Sequence, residues 1–167
     1  MIPEVKLIFD ECLSHLTMES LRPFLIRAGQ ELFMKSVVVE YQKKGVPDKV
    51  WIPEIAAGDG WIVITADNGK KNKNEAADEK LPFLCRHHRV THIIMSSSVH
   101  ALKGWDKGQA IVSVWTDIVA ATTKTRGTRF RLCHNQAKTG FHLIDWDERE
   151  AEIRAKKKGK GKEGSGG

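Results

Sequence analysis

Apolar and polar positions alternate in blocks along most of this chain. Four short runs rich in apolar and β-branched residues predict strands at residues 5–10, 36–41, 61–65 and 91–95. Segments with apolar residues at helical spacing lie between these runs. Because strands that alternate with helices form parallel sheets with helical crossovers, the pattern predicts an α/β fold with a mainly parallel sheet.

The intervening segments predict helices of very different lengths. The first helix should end near residues 28–29, where Gly29 is suited to a helix cap. The other predicted elements are a short helix that carries Trp51, Ile52, Ile55 and Ala56, a short helix at 78–86, a long helix at 106–121, and final strands at 129–133 and 140–144. Between residues 68 and 75 the chain is too polar for a core and predicts a loop.

Length and charge distribution predict one folded domain and a tail. The chain has 167 residues, of which 41% are hydrophobic, enough for one substantial core. From Arg154 onwards, six basic residues and one acidic residue carry +5 of the formal net charge of +6. We therefore expect a nearly neutral domain at residues 1–148 and a disordered, basic Gly/Lys-rich tail at 149–167.

Apolar stretches and cysteine spacing indicate the cellular compartment of the protein. No stretch approaches the ~20 apolar residues that span a bilayer, and the first residues lack the pattern of a signal peptide. Three widely spaced cysteines, Cys12, Cys85 and Cys133, argue against a disulfide framework. We therefore expect a cytoplasmic protein that does not contact a membrane.

Three acidic residues occupy positions where α/β proteins place their chemistry. Asp10 and Asp67 follow apolar runs that predict neighbouring parallel strands, and Asp48 stands at the entrance to the helix between them. If the three meet, their like charges are costly to assemble without a cation. This arrangement favours Mg²⁺ or Mn²⁺, which prefer hard oxygen ligands and serve phosphate chemistry.

The motifs around these residues resemble the compact PIN-like nucleases. The segment Phe-Asp-Glu-Cys-Leu-Ser from Phe9 is similar to the strand-end opening Asp-Glu-x-Leu-Ser of that family. Asp48-x-x-Trp-Ile-x-x-x-Ala, followed by Gly60-Trp-Ile-Val-Ile-Thr-Ala-Asp67, resembles the motifs that complete the PIN active site. The resemblance covers approximately residues 5 to 120.

The resemblance implies a three-layer α/β/α domain with a metal-dependent ribonuclease centre, as in the toxins of VapC-type toxin–antitoxin pairs. Asp10, Asp48 and Asp67 would be direct or water-bridged metal ligands. Gly69 stands where the PIN signature often has another Asp, and Glu11 or Glu40 could supply the family's second carboxylate. Asn68 could orient a ligand or the attacking water, although an Asn after a strand is also typical of a turn.

Cations on either side of these motifs are candidates for contact with RNA phosphates. Lys70, Lys71 and Lys73 directly follow Asp67 and are the predicted substrate-binding residues. Further basic residues precede Asp48 or connect the last helix to the final strands: Lys43, Lys44, Lys124, Arg126, Arg129 and Arg131. Of the five tryptophans, Trp105 is the one whose position favours stacking on a base rather than packing in the core.

Several alternatives stay open. A degenerate PIN-like module would bind RNA or a protein without cleaving, and a receiver-type phosphoacceptor would use Asp10, Glu11, Asp67 and a hydroxyl among residues 96–98. The Cys and His residues between 85 and 92 match no zinc-site spacing, and a Cys-His nucleophile is no better supported. The expected partners are RNA, a cognate antitoxin protein and a second copy of the chain.

Overall fold

A computed structural model describes residues 5–27, 32–58, 60–67, 74, 76–122, 124, 126–135 and 138–144. Its centre is one six-stranded sheet in the order β2-β1-β3-β4-β5-β6. All neighbouring pairs are parallel except the final hairpin of β5 and β6. The strands are β1 (Val5–Phe9), β2 (Leu32–Ser36), β3 (Trp61–Thr65), β4 (Thr91–Met95), β5 (Arg129–Asn135) and β6 (Lys138–Ile144).

Helices connect the parallel strands and cover both faces of the sheet. The longer ones are α1 (His15–Arg27), α3 (Asp48–Ala57), α4 (Leu81–His87), α6 (Gly104–Ser113) and α7 (Trp115–Thr122). Two single turns, α2 (Val37–Glu40) and α5 (Ser97–His100), follow β2 and β4, and a 3₁₀ turn at Ala77–Glu79 precedes α4. No helix in the described ranges is long and apolar enough to cross a membrane.

Two apolar cores lie on opposite faces of the sheet. On one face, residues of α1, α6 and α7, such as Leu21, Ile111 and Ile118, pack against alternate positions of the strands. On the other face, Trp51 and Ile52 of α3 pack with residues of α4. Strand residues alternate between the two cores, as the two-residue period of a strand requires. The fold is therefore a three-layered α/β/α arrangement around a mainly parallel sheet, as expected from the sequence.

The second strand is where the sequence-based prediction is wrong. β2 ends at Ser36, and the β-branched residues that follow form the single helical turn α2 instead of a strand at 36–41. Ser36 pairs with Phe9, the last residue of β1, so an edge strand that continued beyond it would have no hydrogen-bonding partner in β1. The lack of a neighbouring strand outweighs the β propensity of the valines.

Other predicted elements are close to those observed. Strands at 61–65 and 91–95 and the final hairpin are confirmed, as is the helix that buries Trp51, Ile52 and Ile55. The long helix expected at 106–121 is divided at Val114 into α6 and α7. Of its apolar positions, Ile111, Val114, Trp115 and Ile118 are buried, and Val119 is partly buried. The predicted cap Gly29 lies outside the described residues.

Candidate active site

Asp10 occupies the carboxyl end of β1 and is almost completely buried, with 4% of its surface exposed. Its backbone N–H donates to Ile64 O (3.0 Å), so the chain remains paired with β3 beyond the last residue of β1. Three donors reach its carboxylate: Glu11 N to Oδ1 (2.7 Å), and the Thr65 hydroxyl (2.7 Å) and Cys12 thiol (3.1 Å) to Oδ2. A buried carboxylate requires such partners because it has lost its hydration.

Burial raises the pKa of the Asp10 carboxyl above 3.8, against the hydrogen bonds from Thr65, Cys12 and Glu11, which lower it. The negative charge of Asp67 raises it further. Desolvation and a neighbouring like charge are the two conditions that make a carboxylate unfavourable in the folded state. The ionised form of Asp10 therefore costs free energy in the folded protein, a property common among carboxyl groups in active sites.

Asp67 is joined to Asp10 through a single side chain. Its backbone N–H donates to the Thr65 hydroxyl (2.8 Å), and the same hydroxyl donates to Asp10. Because β1 and β3 are parallel and paired from Lys6–Trp61 to Phe9–Ile64, both aspartates emerge at the same edge of the sheet. The structure therefore brings these two predicted site residues together.

Asp48 is the first residue of α3, at the helix entrance where the sequence places it. It does not act as the N-cap, a position held by Pro47 without a side-chain cap. Instead, its Oδ1 accepts a hydrogen bond from the indole N–H of buried Trp51 (3.1 Å). Asp48 and Asp10 both raise the pKa of the buried Cys85 thiol in α4, after the larger effect of burial.

Glu11 connects the end of β1 to the turn that precedes α3. Its Oε2 accepts a hydrogen bond from Gly45 N (2.5 Å), and Gly45 has a positive φ of 76° that suits the tight turn. This contact holds exposed Lys43 and Lys44 near the carboxyl edge. Glu40, the other candidate for a second carboxylate, lies in α2 and pairs with Lys35 (3.0 Å) because the strand that should have carried it ends earlier.

The chemistry of Asp10 and Asp67 fits a divalent cation, since hard oxygens of like charge approach one another at this edge. Asp48, however, does not complete a ready-made cluster with them. Within the described ranges, no group of three or more His, Cys, Asp or Glu side chains is placed to hold a metal ion. The metal-ligand roles of Asp10, Asp48 and Asp67 therefore stay predictions.

Several candidate residues lie elsewhere or outside the described residues. Asn68, Lys70, Lys71 and Lys73 belong to the latter group. Lys124 and Arg126, expected beside the acidic residues, line a cleft at the opposite edge of the sheet, and Arg129 is buried at the start of β5. This prediction was wrong because the connection from α7 to a parallel β5 must return to the amino edge.

The cysteines support structure rather than nucleophilic chemistry. Burial and the nearby Asp10 charge raise the pKa of the Cys12 thiol to about 12, and its sulfur also accepts a hydrogen bond from Ala66 N (3.2 Å). A protonated thiol is a poor nucleophile.

His92 is fully buried in β4. Burial lowers its pKa to about 3, and the positive charge of Arg129 contributes in the same direction.

Sequence reasoning assigned no role to Thr65 or Cys12, although both lie inside the recognised motifs. A polar side chain two residues before Asp67, in an otherwise apolar strand, is the signal that could have identified Thr65.

The exposure of Trp105 was easier to predict from the sequence than the role of Thr65. Trp105 lies in the first turn of α6 with 66% of its surface exposed, whereas Trp51 and Trp115 are buried as expected.

Residues 5–82 match a family described as a PIN like domain. The match supports a PIN-like domain. It runs from β1 to the start of α4 and so includes the three aspartates and the strands and helix that position them. No curated protein matches this chain, and no solved structure does.

The Thr65 hydroxyl should be a principal support of the acidic edge, the carboxyl edge of the sheet where Asp10 and Asp67 lie. We expect Thr65→Val to lower the free energy of unfolding at neutral pH by about 1.5–3 kcal/mol, the range for a hydrogen bond to a charged group. Thr17→Val is the matched control, because the buried Thr17 hydroxyl has no hydrogen-bond partner among the described residues. Urea denaturation of both variants measures the difference, and equal losses would contradict a specific role for Thr65.

The raised pKa of Asp10 has a defined effect on stability. Because the folded protein holds this proton more tightly than the unfolded chain, the stability from Asp10 is present below pH 3.8 and lost as pH rises through the folded pKa. The Asp10→Asn protein should therefore be more stable than the wild type at pH 7. Its free energy of unfolding should also fall less than that of the wild type as the pH rises from 3.8 through the folded pKa of Asp10. Denaturation across pH, with exposed Asp117→Asn as control, tests this; a destabilised Asp10→Asn protein at pH 7 would contradict it.

Proposed function

We propose that this protein is a metal-dependent endoribonuclease that hydrolyses RNA phosphodiesters at the edge carrying Asp10 and Asp67. The observation that carries the proposal is the buried Asp10 carboxylate, joined through Thr65 to Asp67 at the ends of two parallel strands. Carboxyl ends of strands are where open α/β sheets bind ligands. The PIN-like match over the same residues supports a nuclease over other α/β enzymes.

The carboxylates would hold one or two Mg²⁺ or Mn²⁺ ions. Such a cation supplies an activated water and neutralises negative charge on the leaving oxygen. The Glu11, Thr65 and Cys12 donors fix the orientation of Asp10, and Oδ1 has only one of these donors. Asp67 would contribute the second charge, and Asp48 would approach from the start of α3, with Trp51 fixing one of its oxygens.

Substrate would be positioned by cations at the same edge and by one aromatic side chain. Exposed Lys43 and Lys44 lie in the turn that Glu11 holds through Gly45, and they would supply two positive charges beside the carboxylates. Phosphate contacts of this kind orient a nucleic acid without reading its sequence. Exposed Trp105 could stack on an unpaired base, which favours single-stranded RNA as substrate.

The receiver-type alternative has less support. The first five strands have the order 2-1-3-4-5, which receivers also use, so the sheet alone does not separate the two functions. A receiver needs a lysine at the end of its fifth strand. Here β5 ends in Leu132, Cys133, His134 and Asn135, and the next lysine, Lys138, begins the antiparallel strand β6. The Ser96 and Ser98 hydroxyls that would assist such a reaction bond to one another (2.7 Å).

Cleavage and metal binding should fail together when Asp67 is changed. Asp67→Asn should reduce cleavage of single-stranded RNA in Mg²⁺ or Mn²⁺ by about a hundredfold or more, since even residues behind metal ligands cost 10–100-fold. It should also lose the rise in melting temperature that the cation gives the wild-type protein. Asp117→Asn, an exposed aspartate of α7, is the matched control.

The measurements are cleavage of a labelled RNA with and without EDTA, and thermal unfolding with and without the cation. RNA binding without cation-dependent cleavage would indicate a degenerate PIN-like module. Undiminished cleavage by Asp67→Asn would show that the acidic edge is not the active site.

We further propose that the ribonuclease is the toxin of a toxin–antitoxin pair. The resemblance of its acidic motifs to VapC-type toxins supports this role, and a partner could place a basic side chain near Asp10 and Asp67 to replace the cation's charge. Expression of the protein alone should slow bacterial growth, whereas Asp67→Asn should not and Asp117→Asn should. Growth curves with matched expression measure this effect; harmless expression of a protein that cleaves RNA in vitro would contradict the toxin role and leave the nuclease in place.

A further inference from the structure

A second cleft lies at the amino edge of the sheet, opposite the carboxylates. Its volume is about 590 Å³, and it extends from the end of α3 to the end of α7 across the first residues of β1, β3 and β4. Lys6 lines this cleft and Asp10 ends the same strand, so the two sites are separated by four residues, about 13 Å along β1. The cleft is therefore distinct from the candidate active site.

The side chains around the cleft are strongly cationic. Four permanent cations, Lys6, Arg89, Lys124 and Arg126, line it together with His88, and no carboxylate is among its described lining residues. The C-terminal ends of α3, α4 and α7 border the cleft, and each disfavours an anion through about half a negative charge. The two full positive charges of Arg89 and Lys124 outweigh these three partial charges without any contribution from Lys6 and Arg126, so the cleft favours an anionic ligand.

Two fixed turns hold part of this charge in place. Arg89 has a φ of 56°, which non-glycine residues rarely adopt, and its position is secured by Arg89 N donating to Arg86 O (3.2 Å). Gly127 has a φ of 82° and packs so closely that a Cβ there would lie 3.2 Å from Arg89 Cα. His92 N donates to Thr128 O (3.1 Å), which ties the second turn to the start of β4. The turns carrying Arg89 and Arg126 are thus held side by side.

The cleft also has an apolar part large enough for more than a phosphate group. This part is lined by Ile55, Ala56, Trp61, Ile62 and Ala121. Trp61 is only partly buried. A volume of about 590 Å³ lies within the range of sites for small organic ligands, about 300–1,000 Å³. Cations beside an aromatic and aliphatic surface suit a ligand that joins a phosphate to a flat, apolar ring.

We propose that this cleft binds a nucleoside monophosphate, with the phosphate near Arg89 and Lys124 and the base against the apolar wall. The proposal is independent of the ribonuclease activity, because none of the cleft residues belongs to the acidic edge. Bound nucleotide would stabilise the folded state by mass action.

Binding of adenosine 5′-monophosphate to the full chain tests the proposal, measured by calorimetry and thermal shift in EDTA. We expect one nucleotide per chain, with adenosine and inorganic phosphate each weaker by about tenfold or more because each lacks half of the ligand. The double variant Arg89→Asn, Lys124→Gln should weaken nucleotide binding by about tenfold or more. Asn tolerates the positive φ at position 89, so the turn should remain intact.

The matched control is Lys103→Gln, Lys107→Gln, which removes two positive charges from the N-cap and the first turn of α6, outside the cleft, and should bind nucleotide like the wild-type protein. The single exposed-residue variant Lys124→Gln keeps the test valid if the double variant is unstable. Equal affinity in cleft and control variants, or no binding of the mononucleotide at millimolar concentration, would overturn the proposal. The proposal would also be overturned if the protein bound RNA oligonucleotides but not the mononucleotide, and if the cleft variant weakened that RNA binding. That result would identify the cleft as a contact for the phosphates of a polymer.

Discussion

A hydrogen bond of 2.7 Å from the Thr65 hydroxyl to the Asp10 carboxylate joins the ends of two neighbouring strands. Asp10 cannot be buried in charged form without such donors, because a carboxylate removed from water must be satisfied by the protein. The same hydroxyl accepts from Asp67 N, so one side chain connects the Asp10 carboxylate to the backbone of Asp67. The proposed chemistry depends on this local arrangement more than on any other contact described.

The acidic edge is stabilised by its surroundings and weakened by its own charges. Burial raises the Asp10 pKa and Asp67 raises it further, so the ionised pair is a cost that the two apolar cores must offset. Active sites commonly retain such groups because function requires them even though they reduce stability. A bound cation would reverse the sign of this electrostatic effect, which links metal binding to folding in the proposed enzyme.

The two edges of the parallel sheet carry different charged residues, although Lys43 and Lys44 also lie near the carboxyl edge. Aspartates gather at the carboxyl edge, whereas Lys6, Arg89, Lys124 and Arg126 line the cleft at the amino edge. Because parallel strands all point the same way, residues at strand ends and at strand starts are kept apart by the length of the strand. The two proposed sites, one for a cation and one for an anion, are thus separated by the length of the strands.

The sequence alone determined the elements with strong patterns and the residues close to them along the chain. Apolar periodicity is a local property, so it predicted the strands at 61–65 and 91–95 and the helix that buries Trp51. The direction of the predicted strands likewise gave the positions of Asp10 and Asp67 at the strand ends. Tertiary structure decided the rest. The partner strand β1 ends at Phe9 and so set the end of β2, while the return of the chain to the amino edge separated Lys124 and Arg126 from the aspartates. Thr65 acquired its role only when β3 paired with β1, because a hydrogen bond between residues 55 positions apart depends on which strands become neighbours.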